Sequence, residues 1–147
     1  MATIKRFEDL EIWQKSREMS KKVYSLTIKG TFAKDFALRD QINASSGSTM
    51  DNIAEGFERD GKNEFRQFLS ISKASCGEVR SQLYRALDRN HINQNEFDDL
   101  YSYTEQIGKQ IGNFIVYLNK SEIKGLKFKQ PETPNPSNMN HFKPETL

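Results

Sequence analysis

The stretch that decides the fold is residues 38–57, LRDQINASSGSTMDNIAEGF. One stripe along it is mostly apolar and contains Leu38, Ile42, Thr49 and Ile53. A second stripe with the same period is polar and contains Gln41, Ser45, Ser48, Asn52 and Glu55. Because residues three or four apart share one face of an α-helix, the stretch predicts a helix with an apolar and a polar stripe side by side.

A second helix follows across a turn at residues 59–61 and is predicted to end near Asp88. One of its sides combines aromatic, small and aliphatic residues: Phe65, Phe68, Ser72, Ser75, Cys76, Val79, Leu83 and Ala86. Serine is a poor helix former, so the run of residues 45–49 is helical only where tertiary packing selects it. We therefore interpret residues 38–87 as an antiparallel hairpin of two closely packed helices.

A helix over about residues 10–28, with Asp9 as its cap, is predicted before the hairpin. Its charged face holds two pairs four residues apart, Glu11 with Lys15 and Glu18 with Lys22.

A fourth helix has the clearest start signal in the chain. Asn93 followed by Glu96 is a capping box, and Ile92 is placed to staple onto Phe97. The helix then repeats buried-type residues at alternating steps of three and four: Phe97, Leu100, Thr104, Ile107, Ile111, Phe114 and Leu118. Such a heptad seam is typical of antiparallel bundles.

The distribution of proline supports long helices. All 4 prolines lie at positions 131–144, and proline breaks helix interiors. We predict an all-α fold, an antiparallel up-down-up-down four-helix bundle over residues 1–119. Residues 120–147 are predicted to be a polar, proline-containing, mostly disordered tail.

Composition excludes several classes of protein. The 147 residues include 22 basic and 20 acidic side chains, a net charge of +2, so no overall positive field demands a nucleic-acid ligand. The single cysteine, Cys76, excludes an internal disulfide framework and fits a reducing compartment. No signal peptide or apolar span is apparent, so we expect a cytoplasmic protein without a membrane contact.

Catalytic parts are missing from the sequence. The two histidines, His91 and His141, are interpreted as solvent-facing, because neither has a partner at metal or triad spacing. No glutamate precedes a histidine by three residues, as a di-iron bundle requires, and no glycine-rich phosphate loop occurs. We expect no enzyme activity, no catalytic residue, no metal and no cofactor.

The polar stripe is the first candidate site. It joins residues of both hairpin helices: Gln41, Ser48, Asn52, Glu55, Ser75, Glu78 and Gln82. Buried amides and carboxylates are costly unless paired, so we expect a hydrogen-bonded network that fixes helix register or a subunit contact. The alternative is that the stripe faces water.

Two basic ridges are the second candidate site. Lys15, Lys22 and Lys29 recur every seven residues on the first helix, and Arg66, Lys73 and Arg80 do so on the third. The alternative interpretation is a solvated face with local salt bridges. Helices one and three are diagonal in a simple bundle, so a continuous basic surface requires several subunits side by side.

The residues also resemble a known family, the four-helix-bundle proteins encoded within intervening sequences of bacterial large-subunit ribosomal RNA genes. The resemblance covers roughly residues 5–119 and rests on four groups of residues: 7–10 with Trp13 and Tyr24, Leu38 with Gln41, Ser48 with 52–56, and Phe68, Leu69 and Ile71 with Ser75, Glu78 and Gln82.

This resemblance implies a non-enzymatic homopentamer. A relative, the accessory variability protein of diversity-generating retroelements, binds nucleic acid and a reverse transcriptase, which implies RNA, DNA or a nucleic-acid-processing protein as partner. We therefore predict a non-catalytic homo-oligomer that binds nucleic acid through Lys15, Lys22, Arg66, Lys73 and Arg80. Residues 94–119 hold four acidic side chains and one basic side chain, so helix four is acidic. The alternative is a protein–protein adaptor that uses this acidic helix or the tail.

Overall fold

A computed structural model describes residues 3–120 and 131. It contains four α-helices, α1 (Glu11–Thr27), α2 (Phe36–Glu58), α3 (Lys62–Asp88) and α4 (Gln94–Lys120), and two short 3-10 turns, Phe7–Asp9 and Phe32–Lys34. Helix α1 packs on α2 and α4, and α3 packs on α2 and α4. The predicted all-α four-helix bundle is confirmed. The predicted disordered tail lies outside the described residues, apart from residues 120 and 131.

The start of α1 differs from the prediction. Leu10, fully buried and extended, is the N-cap, and no side chain caps this end. Asp9 instead belongs to the preceding 3-10 turn and pairs with Arg6 at 3.4 Å, so the prediction of Asp9 as the cap was wrong. The turn holds Asp9 one residue too early to reach the free amides of α1.

The small residues of α2 allow a close contact with α3. A Cβ atom added at Gly56 would lie 2.5 Å from Cβ of Phe68 and 3.1 Å from Cδ1 of Phe65. The buried hydroxyls are satisfied within the helix, since Thr49 Oγ1 donates to the carbonyl of Ser45 at 2.9 Å. Ser72 of α3 donates across the contact to the carbonyl of Thr49. Packing thus selects helix where propensity alone does not.

The core runs along the bundle axis. Phe65 of α3 meets Phe57 of α2 and Phe114 of α4 edge to face, with ring centroids 5.9 and 5.4 Å apart. All seven residues of the predicted α4 seam are buried. Cys76 lies in the same core, and burial raises the pKa of its thiol to about 12.

The connection from α3 to α4 combines two end motifs. Asn90 has a φ of 57°, and the His91 amide donates to the carbonyl of Ala86 at 2.9 Å, which is a Schellman stop. The predicted capping box follows: the Glu96 amide donates to Asn93 Oδ1 at 2.8 Å, and Glu96 Oε1 accepts from the Asn93 amide at 2.9 Å. The start of α4 is therefore fixed as predicted.

Candidate functional site

The centre of the polar stripe is a hydrogen-bonded group between α2 and α3. Ser48 Oγ and Ser75 Oγ are 3.0 Å apart, and Asn52 donates to Ser48 Oγ at 2.9 Å and to the Ser48 carbonyl at 2.8 Å. Ser75 is 5% exposed, and Ser48 and Asn52 are half-buried. The structure thus brings these three residues together at the outer edge of the helix contact.

The other four stripe residues lie outside this group. Gln41 accepts from Arg85 of α3 at 3.0 Å, whereas exposed Glu55 pairs with Arg59, the C-cap of α2, at 3.1 Å. Glu78 is exposed. Gln82 is 8% exposed, and its buried carbonyl oxygen has no hydrogen-bond partner among residues 3–120. The stripe is therefore a hydrogen-bonded centre flanked by the exposed residues Gln41, Glu55 and Glu78 and by the buried Gln82.

Exposed apolar residues lie around this centre. We call the surface that they form with it the α2–α3 face. Ala44 lies one turn before Ser48 and is exposed, as is Ala74 beside Ser75. Ile71, one turn before Ser75, is 49% exposed. Isolated exposed apolar residues are common on protein surfaces, but Ile71 lies next to the hydrogen-bonded group of Ser48, Asn52 and Ser75.

The α1 ridge is neutralised by carboxylates. Lys15 pairs with Glu11 at 3.5 Å, as predicted, but Lys22 reaches across to Asp99 of α4 at 3.0 Å. The predicted pair of Glu18 with Lys22 was wrong, because Asp99 offers a close hydrogen bond, which raises the pKa of Lys22. An open cleft of about 460 Å³ here is lined by both signs of charge: Glu11, Gln14, Lys15, Glu18, Asp99, Ser102, Tyr103 and Gln106.

The charges of the α3 ridge are not offset by carboxylates in the described part of the chain. Half-buried Arg66 donates to Asn119 at 2.6 Å and to Asn63 at 3.2 Å, which are neutral acceptors. Lys73 is exposed. Within residues 3–120, Arg66, Lys73 and Arg80 form no ion pair with a carboxylate.

Helix α4 lies beside this ridge. The Lys73 ammonium would lie 3.9 Å from a Cβ atom at Gly112, and the Arg80 guanidinium carbon is 6.0 Å from the ring centroid of Tyr101. All three basic residues of the ridge therefore follow the α3–α4 seam.

An aromatic group, Tyr84, Phe97 and Tyr101, lies at one end of this ridge. Tyr84 is one helical turn beyond Arg80 and is 49% exposed. Its ring centroid is 4.9 Å from Phe97 and 6.0 Å from Tyr101. The interaction with the Tyr101 side chain, together with desolvation, raises the pKa of the Tyr84 phenol.

The prediction that His91 faces solvent was wrong. Its side chain is only 10% exposed, not solvent-facing, and its ring stacks on buried Phe32 with centroids 5.1 Å apart. Nε2 contacts Asp35 Oδ2 at 2.8 Å, and Nδ1 contacts the Thr31 hydroxyl at 2.8 Å. Its partners precede it by 56 and 60 residues, so no local pattern reveals them.

Asp35 connects three parts of the bundle. It caps α2 through the Leu38 amide at 3.4 Å, and its Oδ2 atom also accepts from Arg89 at 2.8 Å. The hydrogen bonds from His91 and Arg89 hold the pKa of this carboxyl at about 2. The network ties the α1–α2 connection to the end of α3, a structural role rather than a reactive one.

The described residues hold no cluster of three or more His, Cys, Asp or Glu side chains suited to a metal. None of the four helices is both long and apolar enough to span a membrane. The fold and its surfaces define an all-helical bundle protein whose distinctive features lie on the α2–α3 and α3–α4 seams.

The chain belongs to the 23S rRNA-intervening sequence protein family, whose model matches residues 8–113. This confirms the resemblance. A crystal structure of a protein of unknown function from the S23 ribosomal protein family of Bacteroides thetaiotaomicron is similar in fold, with a TM-score of 0.65 and 20% identity. The match covers 71% of this chain and 97% of that one. A comparison with curated protein sequences gives no match.

Proposed function

We propose that the protein is a non-catalytic, cytoplasmic homo-oligomer that binds nucleic acid through the α3 ridge. The observation that carries the proposal is the difference between the two ridges. Lys15 and Lys22 are paired with carboxylates, whereas Arg66, Lys73 and Arg80 form no ion pair within the described bundle. Cations without a carboxylate partner are available to neutralise phosphates, and this contact supplies most non-specific affinity.

Assembly through the α2–α3 face supports the same proposal. Exposed Ile71 and the bonded Ser48–Ser75 centre lie on the outer side of the hairpin, which gives a subunit contact both apolar area and fixed polar groups. The α3 ridge lies on the α4 side of α3, clear of this face. Neighbouring subunits would therefore repeat the ridge around the assembly, which we propose is the homopentamer that the family resemblance implies.

The test compares two matched triple variants. Fluorescence anisotropy with labelled 20-nucleotide single-stranded and duplex RNA and DNA is measured at about 50 mM salt, where electrostatic contacts are strong. We expect Arg66→Gln, Lys73→Gln, Arg80→Gln to weaken binding to all probes. The control, Lys15→Gln, Lys22→Gln, Lys29→Gln, removes the same charge from α1 and should change binding much less.

Salt dependence gives a second readout. Each lost phosphate contact should flatten the slope of log affinity against log salt by about 0.7 on single strands and about 0.9 on duplex DNA. Equal losses in both triple variants would show that net charge alone governs binding. No binding of the wild-type protein to any probe would refute the proposal and favour the adaptor, with the acidic face of α4 around Asp98, Asp99 and Glu105 as the surface to examine.

A further inference from the structure

The proposed phosphate contacts do not use the aromatic group at the end of the α3 ridge. Tyr84 buries one part against Phe97 and Tyr101, yet about half of it stays accessible. Neither neighbour lies parallel to it, because the interplanar angles are 60° and 81°. A fixed, accessible ring directly beyond Arg80 is suited to stack a planar group.

We infer that Tyr84 stacks on an unpaired base while Arg80, Lys73 and Arg66 bind the phosphates of the same strand. The ligand is then a single-stranded polynucleotide, which rests on the proposed function and narrows it. From Arg66 to Tyr84 the helix rises about 27 Å, enough to follow several nucleotides. Bases in a duplex are already stacked and paired, whereas every unpaired base offers an open face to an aromatic side chain.

The charges near Tyr84 agree with a base at this position rather than a phosphate. Arg80 of α3 and Glu105 of α4 both act electrostatically on Tyr84, and the Arg80 guanidinium carbon is 6.0 Å from the ring centroid of Tyr101. A carboxylate repels a phosphate but tolerates a neutral base. The contacts with phosphate therefore end at Arg80, and the contact with the base begins one turn later.

The packing of the Tyr84 ring strengthens this arrangement. The ring is tilted against Phe97 and edge-on to Tyr101, and these contacts hold it in place before a ligand arrives. A side chain held in place loses little conformational freedom on binding, which favours affinity. The structure therefore offers a preorganised stacking platform at one end of a cationic track.

The experiment uses the full chain and three labelled 20-nucleotide probes: single-stranded RNA, the same strand with abasic sugars, and duplex RNA. We expect the wild-type protein to prefer the single strand over both other probes by about fivefold to 150-fold, the range for stacking of one base. Tyr84→Leu should reduce single-strand affinity to the abasic value, and Tyr84→Phe, which keeps the ring, should retain the preference. Circular dichroism and particle mass should be unchanged in both variants.

The outcomes separate this inference from the proposed function. Equal affinity for all three probes, with loss of binding in the triple glutamine variant of α3, overturns base stacking and leaves phosphate binding intact. A single-strand preference that survives Tyr84→Leu overturns the role of Tyr84. Failure of every probe to bind at about 50 mM salt overturns both the stacking inference and the proposed function.

Discussion

The close approach of α2 and α3 at Gly56 gives the sharpest test of the fold. An alanine there puts a Cβ atom 2.5 Å from Cβ of Phe68, an atom attached directly to the α3 backbone. The contact is relieved only if the two helices separate or bend. Overpacking of this kind costs about 1 to 3 kcal/mol, whereas replacing glycine by alanine inside a helix contributes about 0.8 to 1.0 kcal/mol of stability.

Gly47 provides the matched control within the same helix. An added Cβ at Gly47 meets nothing within 4 Å, so Gly47→Ala gains the helix propensity without the clash. Because the contact at Gly56 involves a backbone-attached atom, we take the upper part of the range and expect Gly56→Ala to lose about 1 to 2 kcal/mol net. The two variants should therefore differ by roughly 2 to 3 kcal/mol.

Thermal unfolding at fixed protein concentration measures this difference. For a chain of this length, 1 kcal/mol shifts Tm by about 2 to 4 °C, so Gly56→Ala should melt about 5 to 10 °C below Gly47→Ala. Particle mass must be measured for both, because Gly47 is accessible and a change of assembly would also move Tm. A Tm for Gly56→Ala equal to or above that of Gly47→Ala would refute the close packing.

Three further predictions concern single side chains. The pKa of Asp35 falls from its ordinary value of 3.8 to about 2 in the fold, so its contribution to the free energy of unfolding is complete above pH 4 and is lost as the pH falls towards 2. In urea titrations across that window, Asp35→Asn should therefore lose less stability than the wild-type protein. Asn52→Ala should cost about 1 to 3 kcal/mol by removing its two hydrogen bonds to Ser48, whereas Glu55→Ala, which breaks an exposed pair, should cost below about 1 kcal/mol in the same denaturation assay. Cys76 should not react with a thiol reagent at pH 8 in the native state and should react fully in denaturant, because burial raises its pKa to about 12.

Local signals predicted the helices well. The capping box at Asn93 and the α4 seam both depend on spacings of three and four residues, and both appear in the structure where the sequence placed them. Asp9 is the counterexample, because the preceding 3-10 turn competes for it. Sequence patterns of this kind describe which face of a helix is buried but not which partner it meets.

The sequence did not predict which side chains pair when the two residues are far apart along the chain. The two basic ridges have the same spacing, yet among residues 3–120 only the α1 ridge meets carboxylates, since the partner of Lys22 is 77 residues away at Asp99. The polar stripe shows the same limit, because Ser48 and Ser75 meet across the hairpin while Glu55 and Glu78 remain exposed. Equal periodicity therefore did not predict equal environment.

The His91–Asp35 network makes the two ends of the bundle unequal in their dynamics. At the end of the bundle that contains this network, two charge-assisted contacts of 2.8 Å and the stacking of His91 on Phe32 hold the α1–α2 connection to the C-terminal end of α3. At the opposite end, the hydrogen bond from Arg66 to Asn119 links the second turn of α3 to the last turn of α4. Amide hydrogens beside Asp35 and His91 should exchange with solvent only on global unfolding, whereas those near Asn119 should exchange through local fraying. The last turn of α4 would then fray before the end of the bundle that holds Asp35 and His91 opens.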